Sequence, residues 1–248
     1  MRRLLPRLAL ALCALLAFSG LFALGTWQLE RRAWKLALIE RIDQRVHAAP
    51  TEAPGPGEWA GVDRTRDEYR RVRATGTFLH ERETLVQATT ELGSGYWVLT
   101  PLRTEGGALL LVNRGFVSPQ QRERAARGVQ EPAGPVTVTG LLRITEPHGA
   151  FLRQNDPDAQ RWYSRDVQAI ARARGLGEVA PYFVDADAAA PAPPRGGMTV
   201  IAFPNNHLVY ALTWYALALM VAGAAWYVVR ERRRPQNDGE EARDGARD

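Results

Sequence analysis

The sequence predicts a membrane α+β protein. Two transmembrane helices, one at each end, flank an extracytoplasmic, mostly antiparallel β domain, a small sandwich or partly closed barrel with one or two short helices. Three observations predict it. No charged residue occurs among the 22 positions from Leu8 to Leu29. None occurs among the 22 from Leu208 to Val229 either. Between these runs, short segments rich in β-branched and aromatic residues are separated by Gly/Pro turns.

A bilayer core of about 30 Å needs roughly 20 apolar residues as helix. Both runs meet that length, and in lipid only helices or closed barrels satisfy their own backbone groups. MRRLLPR at the start also resembles the basic region of a signal peptide. The apolar run is too long for a typical signal core and lacks an A-x-A cleavage site. It continues into GTWQLERRAWK, where Trp27 suits a membrane interface. The reading is a retained anchor.

Arginines set the orientation. Arg2, Arg3 and Arg7 precede the first run, and Arg230, Arg232, Arg233 and Arg234 follow the second; such flanks stay cytoplasmic. Arg31, Arg32 and Lys35 oppose this for the first helix, but only Arg195 lies near the front of the second. The expected segments are a cytoplasmic N-terminus (1–7), a helix (8–29), a periplasmic β-rich domain (30–203), a second helix (204–229) and a disordered cytoplasmic tail (230–248). No mitochondrial-type presequence precedes the first helix, so the expected location is a bacterial inner membrane.

Charge argues against nucleic acid despite the calculated pI of 9.8. The net charge is +5, of which the three N-terminal arginines supply +3. The tail from Arg230 carries six Arg against six acidic residues. Only +2 remains for everything between, too little for a concentrated basic face. The single cysteine, Cys13, lies inside the first apolar run, which excludes disulfides and thiol chemistry from the outer domain.

Along the chain, Trp34, Leu38, Ile42 and Val46 recur every four residues, extending a helix beyond the membrane. AAPTEAPGPGEW breaks it into a loop. Strands are expected in YRRVRATGTFL, ETLVQAT, YWVLTPLRT (ending near Pro101 and a Gly106-Gly107 turn), ALLLVNRGFV and VTVTGLLRI. A short helix follows with Ser164 as N-cap, Asp166 in its first turn and Gly175 beyond its end. PYFVDAD is a last strand and AAAPAPPRGG an extended linker.

Few residues invite chemistry. Asp156 and Asp158 flank Pro157 in a turn signal, with no histidine or nucleophile near in sequence. Arg114 and Gly115 in NRGFV fit either an anion contact or a β-bulge carrying a solvated edge charge. His47, His80 and His148 share no metal-ligand spacing, and no hydrolase or phosphate-loop motif occurs. The chain is therefore not read as an enzyme.

His207 stands apart by position. It lies roughly 34 Å along a helix from Arg230, at the outer edge of the hydrocarbon core, with Asn205 or Asn206 as N-cap. Neutral imidazole binds metals, and Tyr210 and Trp214 follow at i+3 and i+7. A nitrogen ligand beside an aromatic wall suits a haem. A hydrated histidine in an interfacial aromatic belt fits the same residues.

LGTWQLERRAWK, YRRVRATGTF, GYWVLTPLR, LLVNRGFV, NDPDAQRWYSRD and NNHLVYALTWYALA, in that order and between two apolar helices, resemble the surfeit locus protein 1 family of cytochrome c oxidase assembly factors. The resemblance covers nearly the whole chain, and no motif departs from the pattern. It implies a membrane chaperone that helps mature the oxidase catalytic subunit, alongside other assembly factors, by transiently handling haem a. The histidine implicated in haem binding in bacterial members falls on His207, which would ligate the iron, with Tyr210 and Trp214 in support. The alternatives are a cofactor-free scaffold for oxidase subunits, a two-helix periplasmic sensor and a membrane-bound enzyme. The sensor lacks room for an output module in the 19 residues after the second helix.

Overall fold

A computed structural model describes residues 5–128, 131–147, 153–188, 192–201 and 203–231. The chain divides into two compact units, a helical one (Met1–Ile39 with Phe203–Asp248) and a β unit (Glu40–Ala202).

In the β unit the strands are β1 (Thr51–Glu52), β2 (Arg71–Phe78), β3 (Thr84–Thr90), β4 (Gly93–Thr104), β5 (Leu109–Val117), β6 (Val136–Ile144) and β7 (Val179–Ala186). They form one sheet in the order β1-β2-β6-β7-β5-β4-β3, and β2 also pairs with β4. That extra pairing, Gly76–Phe78 against Leu102–Thr104, closes β2, β6, β7, β5 and β4 into a five-stranded barrel. The fold is thus a closed barrel, where a sandwich or partly closed barrel was expected. Two of its pairings, β1 with β2 and β5 with β7, are parallel.

β4 makes closure possible by serving two partners along one edge, while β5 pairs along the other. Its first part pairs with β3 up to Leu99 and its last part with β2 from Leu102. Pro101 sits between these stretches, so the strand does not end there as its proline suggests. The missing N–H falls where the partner changes, and the Pro101 carbonyl still accepts from Leu79 at 2.8 Å. β1 lies within the segment expected to be pure loop.

The apolar run of β5 is continuous because both faces are covered. Leu110 and Val112 join Val72, Leu102, Leu142, Tyr182 and Val184 in a cluster fed by all five barrel strands. Leu109 and Leu111 face the other way, against Val86, Trp162, Ile170 and Phe183. Trp162 is buried there and its backbone carbonyl accepts from Gln87 of β3 at 2.8 Å. Helix α2 (Arg64–Asp67) precedes β2, and Ile170 belongs to helix α3 (Val167–Arg174), whose N-cap is Asp166, accepting from the Ala169 N–H at 3.0 Å. Ser164, expected as the cap, instead accepts from Asn155 at 3.0 Å. Asp166 wins because its carboxylate stands one residue before the first helical turn. Gly175 ends the helix in the left-handed conformation.

Gly76 lies where β2 passes from β6 to β4, and a Cβ there would be 2.2 Å from the Arg103 carbonyl oxygen. Gly76→Ala therefore has to push the closing strands apart. The expected cost is about 2–3 kcal/mol, a fall of roughly 5–10 °C in the thermal midpoint. Circular dichroism of the full chain in detergent reads it, and an unchanged midpoint would show that closure tolerates a side chain.

Candidate functional site

The helical unit holds most of α1 (Leu5–His47) and all of α4 (His207–Glu231). Both helices are long and apolar enough to cross a membrane. α4 starts at His207 because Pro204 and two asparagines precede it. The Asn206 carbonyl accepts the Tyr210 N–H, so Asn206 holds the N-cap position. Neighbouring Asn205 has a buried side-chain oxygen without a hydrogen-bond partner.

The helices run antiparallel, since rising positions on α1 meet falling ones on α4. His207, Ala211, Tyr215 and Ala218 form the inward stripe of α4, spaced by one helical turn. Ala211 and Ala218 are buried, small residues that let the backbones approach. The Tyr215 ring occupies the space over Gly25, where a Cβ would lie 2.6 Å from a ring carbon. Its hydroxyl is 3.2 Å from Thr26 Oγ1, and its ring lies 5.3 Å from that of Phe22. Two residues further along α1 and eight residues back along α4, Gln28 Oε1 lies 2.8 Å from His207 Nδ1. Four residues of α1, Phe22, Gly25, Thr26 and Gln28, thus engage two of α4.

Of the three residues singled out in the sequence, only His207 has a polar contact across the helix pair among the described residues. Tyr210 is 55% exposed and Trp214 half-buried. They flank the inward stripe and do not join it. Gln28, Thr26 and Tyr215 were missed. The available signal was Thr26 and Gln28, two of the three polar side chains (with Ser19) inside an otherwise apolar run of α1, where such groups need partners.

Among the described residues, no group of three or more His, Cys, Asp and Glu could hold a metal ion. His207 accordingly offers one nitrogen, not a coordination cage. A bare transition metal needs several protein ligands, whereas a haem brings its own in-plane donors and asks for axial ones.

The β unit contains a second polar cluster, which explains the NRG motif. Two residues of β5, Arg114 and Gly115, stand opposite the single Val98 of β4, a bulge. Gly115 has φ +126°, and a side chain there would strike the Arg195 backbone. Asn113 Nδ2 donates to Asp185 Oδ1 at 2.8 Å, and its own oxygen accepts from the Gly115 N–H at 3.2 Å. Asp185, 5% exposed, also accepts from Arg143 (2.9 Å), Arg165 (3.2 Å) and Thr199 (2.9 Å). Glu68 and Glu146 complete the pairing of the two arginines. Each of the three carboxylates pairs with at least one of the two guanidiniums, so the cluster ties strands together.

Arg114 is not the solvated edge charge expected of a bulge. Its side chain is 14% exposed, lies over the Phe78 ring and reaches Glu131 at 3.7 Å. Burial pulls its guanidinium below the ordinary value, against the charges of Glu83 and Glu131. Asp156 forms the turn anticipated, accepting from Ala159 and pairing with Arg161. His80 lies in a tight turn beside Glu131, and His148 falls outside the described residues.

The model of the SURF1 family matches residues 15–219. Surfeit locus protein 1 of Mus musculus is 35% identical over 233 residues, covering 86% of this chain and 73% of the mouse protein. The Homo sapiens protein of that name is 36% identical, over 79% of this chain and 70% of its own length. A SURF1-like protein of Monosiga brevicollis is 35% identical, over 85% and 84%. These relatives are eukaryotic.

Two measurements test the packing. Gly25→Ala displaces the Tyr215 ring and should cost about 1–3 kcal/mol. Tyr215→Phe loses the hydroxyl contact alone. Because both act through one ring, unfolding in detergent should show the double variant costing less than the sum; strict additivity would deny the contact. The second concerns Glu146. Burial raises its carboxyl, but the hydrogen bond and charge of Arg165 outweigh this and hold it below the ordinary value. A depressed folded-state pKa stabilises above the unfolded value, about 4.3, and that contribution disappears as pH falls through the folded value. The gap in unfolding midpoint between wild type and Glu146→Gln should thus narrow from pH 7 toward pH 3. A constant gap would contradict the pairing.

Proposed function

Since the chain belongs to the SURF1 family of cytochrome c oxidase assembly factors, we propose that it carries haem a as cargo for the oxidase catalytic subunit, held at the N-terminal end of α4. The observation that carries this reading is the state of His207. Its Nδ1 faces Gln28, and among the described residues nothing is hydrogen-bonded to Nε2. A ring held on one side with a free nitrogen on the other has the form of an axial ligand.

His207 would contribute that ligand, while Tyr210 and Trp214 would lie beside the macrocycle as apolar flanks. Haem a supplies only its iron and its apolar ring; the chain's part is to bind, orient and shield. No catalytic step is assigned to the protein. The arginine flanks support a two-pass arrangement with both termini cytoplasmic. In a bacterial inner membrane the β unit would then face the periplasm. There it would meet the oxidase and other assembly factors.

One observation favours a second reading, a cofactor-free scaffold. The Gln28–His207 contact also joins the two helices, and a structural clasp needs no cargo. Haem content separates the two. Purified after co-expression with haem a synthesis enzymes, wild type should carry haem a and His207→Ala should lose at least nine-tenths of it with unchanged helix content. Equal haem content and spectrum in both proteins would remove the ligand role and leave the scaffold.

A further inference from the structure

We infer that Gln28 is the positioning residue of His207: its amide oxygen fixes the imidazole as the Nδ1–H tautomer and leaves Nε2 as the ring's sole lone-pair nitrogen. The use of that lone pair by haem rests on the function proposed above; the tautomer does not.

The geometry demands a proton between Nδ1 and Oε1, 2.8 Å apart. An amide oxygen carries none, so the ring supplies it. A neutral imidazole with its proton on Nδ1 has a bare Nε2, the nitrogen that points away from Gln28. In histidine ligands generally, the partner of one ring nitrogen decides which other nitrogen meets the metal. Carbonyl oxygens are the usual partners, and here a side-chain amide from the neighbouring helix takes that place.

Placement of Gln28 is not incidental. It stands three residues beyond Gly25, on the same side of α1. Gly25 admits the Tyr215 ring and Thr26 meets its hydroxyl, which sets the register of the two helices. Gln28 lies beyond Gly25 in the direction of His207, and the antiparallel run lets the two side chains meet. The GTWQ sequence therefore reads as a unit: a glycine for approach, a threonine for register, a glutamine for the ring. A role in helix pairing alone would accept the amide either way round. Only the oxygen-facing orientation leaves Nε2 able to bind a metal.

The test begins without haem. The full chain, labelled with ¹⁵N-histidine in detergent micelles, is compared with His207→Ala to assign the His207 resonances. Wild type should show a protonated Nδ1 and an unprotonated Nε2. Gln28→Leu should lose this state, and Gln28→Glu, which keeps an oxygen acceptor, should retain it. A proton on Nε2 in wild type, or an unchanged tautomer in Gln28→Leu, overturns the assignment whatever the haem result. With haem a loaded, Gln28→Leu should hold at least tenfold less haem and shift the electron paramagnetic resonance signals of the iron, with Gln28→Glu restoring both. If wild type binds no haem, the proposed function fails while the nitrogen spectra still decide the role of Gln28.

Discussion

The ring of Tyr215 fills the space where Gly25 would carry a side chain. Two apolar helices have little reason to choose one register over another in lipid, because their surfaces resemble the solvent around them. Close approach at a small residue, with one hydroxyl contact, supplies the choice. The Gln28–His207 contact joins the same two helices.

The β unit solves a different problem. Its longest strand, β4, serves β3 with one part and β2 with another, and closing the barrel removes edges that would otherwise seek partners. Closure also forces charged side chains into company. Asp185 gathers Asn113, Arg143, Arg165 and Thr199 from distant segments. Such a network contributes little net stability when complete, but breaking one member leaves a buried charge unpaired. That accounts for the NRG motif without any chemistry: the asparagine bonds the aspartate, the glycine makes the bulge, the arginine stacks on Phe78.

Much of this was legible residue by residue. Long uncharged runs announced α1 and α4, and short segments rich in β-branched and aromatic residues announced the six strands β2 to β7. His207 stood out by its position at the helix start beside Tyr210 and Trp214, and the family resemblance made it the favoured ligand. What stayed hidden was pairing. Strand β1 is two residues long and lies between prolines, too short for any periodic signal. Asp166 and Ser164 are both capping residues, and only the position of the first turn separates them. Tyr210 and Trp214 share helical spacing with His207, yet the stripe that meets α1 passes through Ala211 and Tyr215 instead. Spacing gives the faces of a helix; it does not say which face has a neighbour.

By itself the amino-acid sequence determined the family, the two apolar helices and the β-rich middle, because those depend on composition and period, which are local. The tertiary structure alone decided that the barrel closes through β2 and β4, that Arg114 is buried rather than solvated, and that Gln28 faces His207. These are contacts between positions tens to nearly two hundred residues apart, and no local pattern encodes a distance in space. The histidine proposed as a ligand was visible from one helix; the amide that faces it belongs to another.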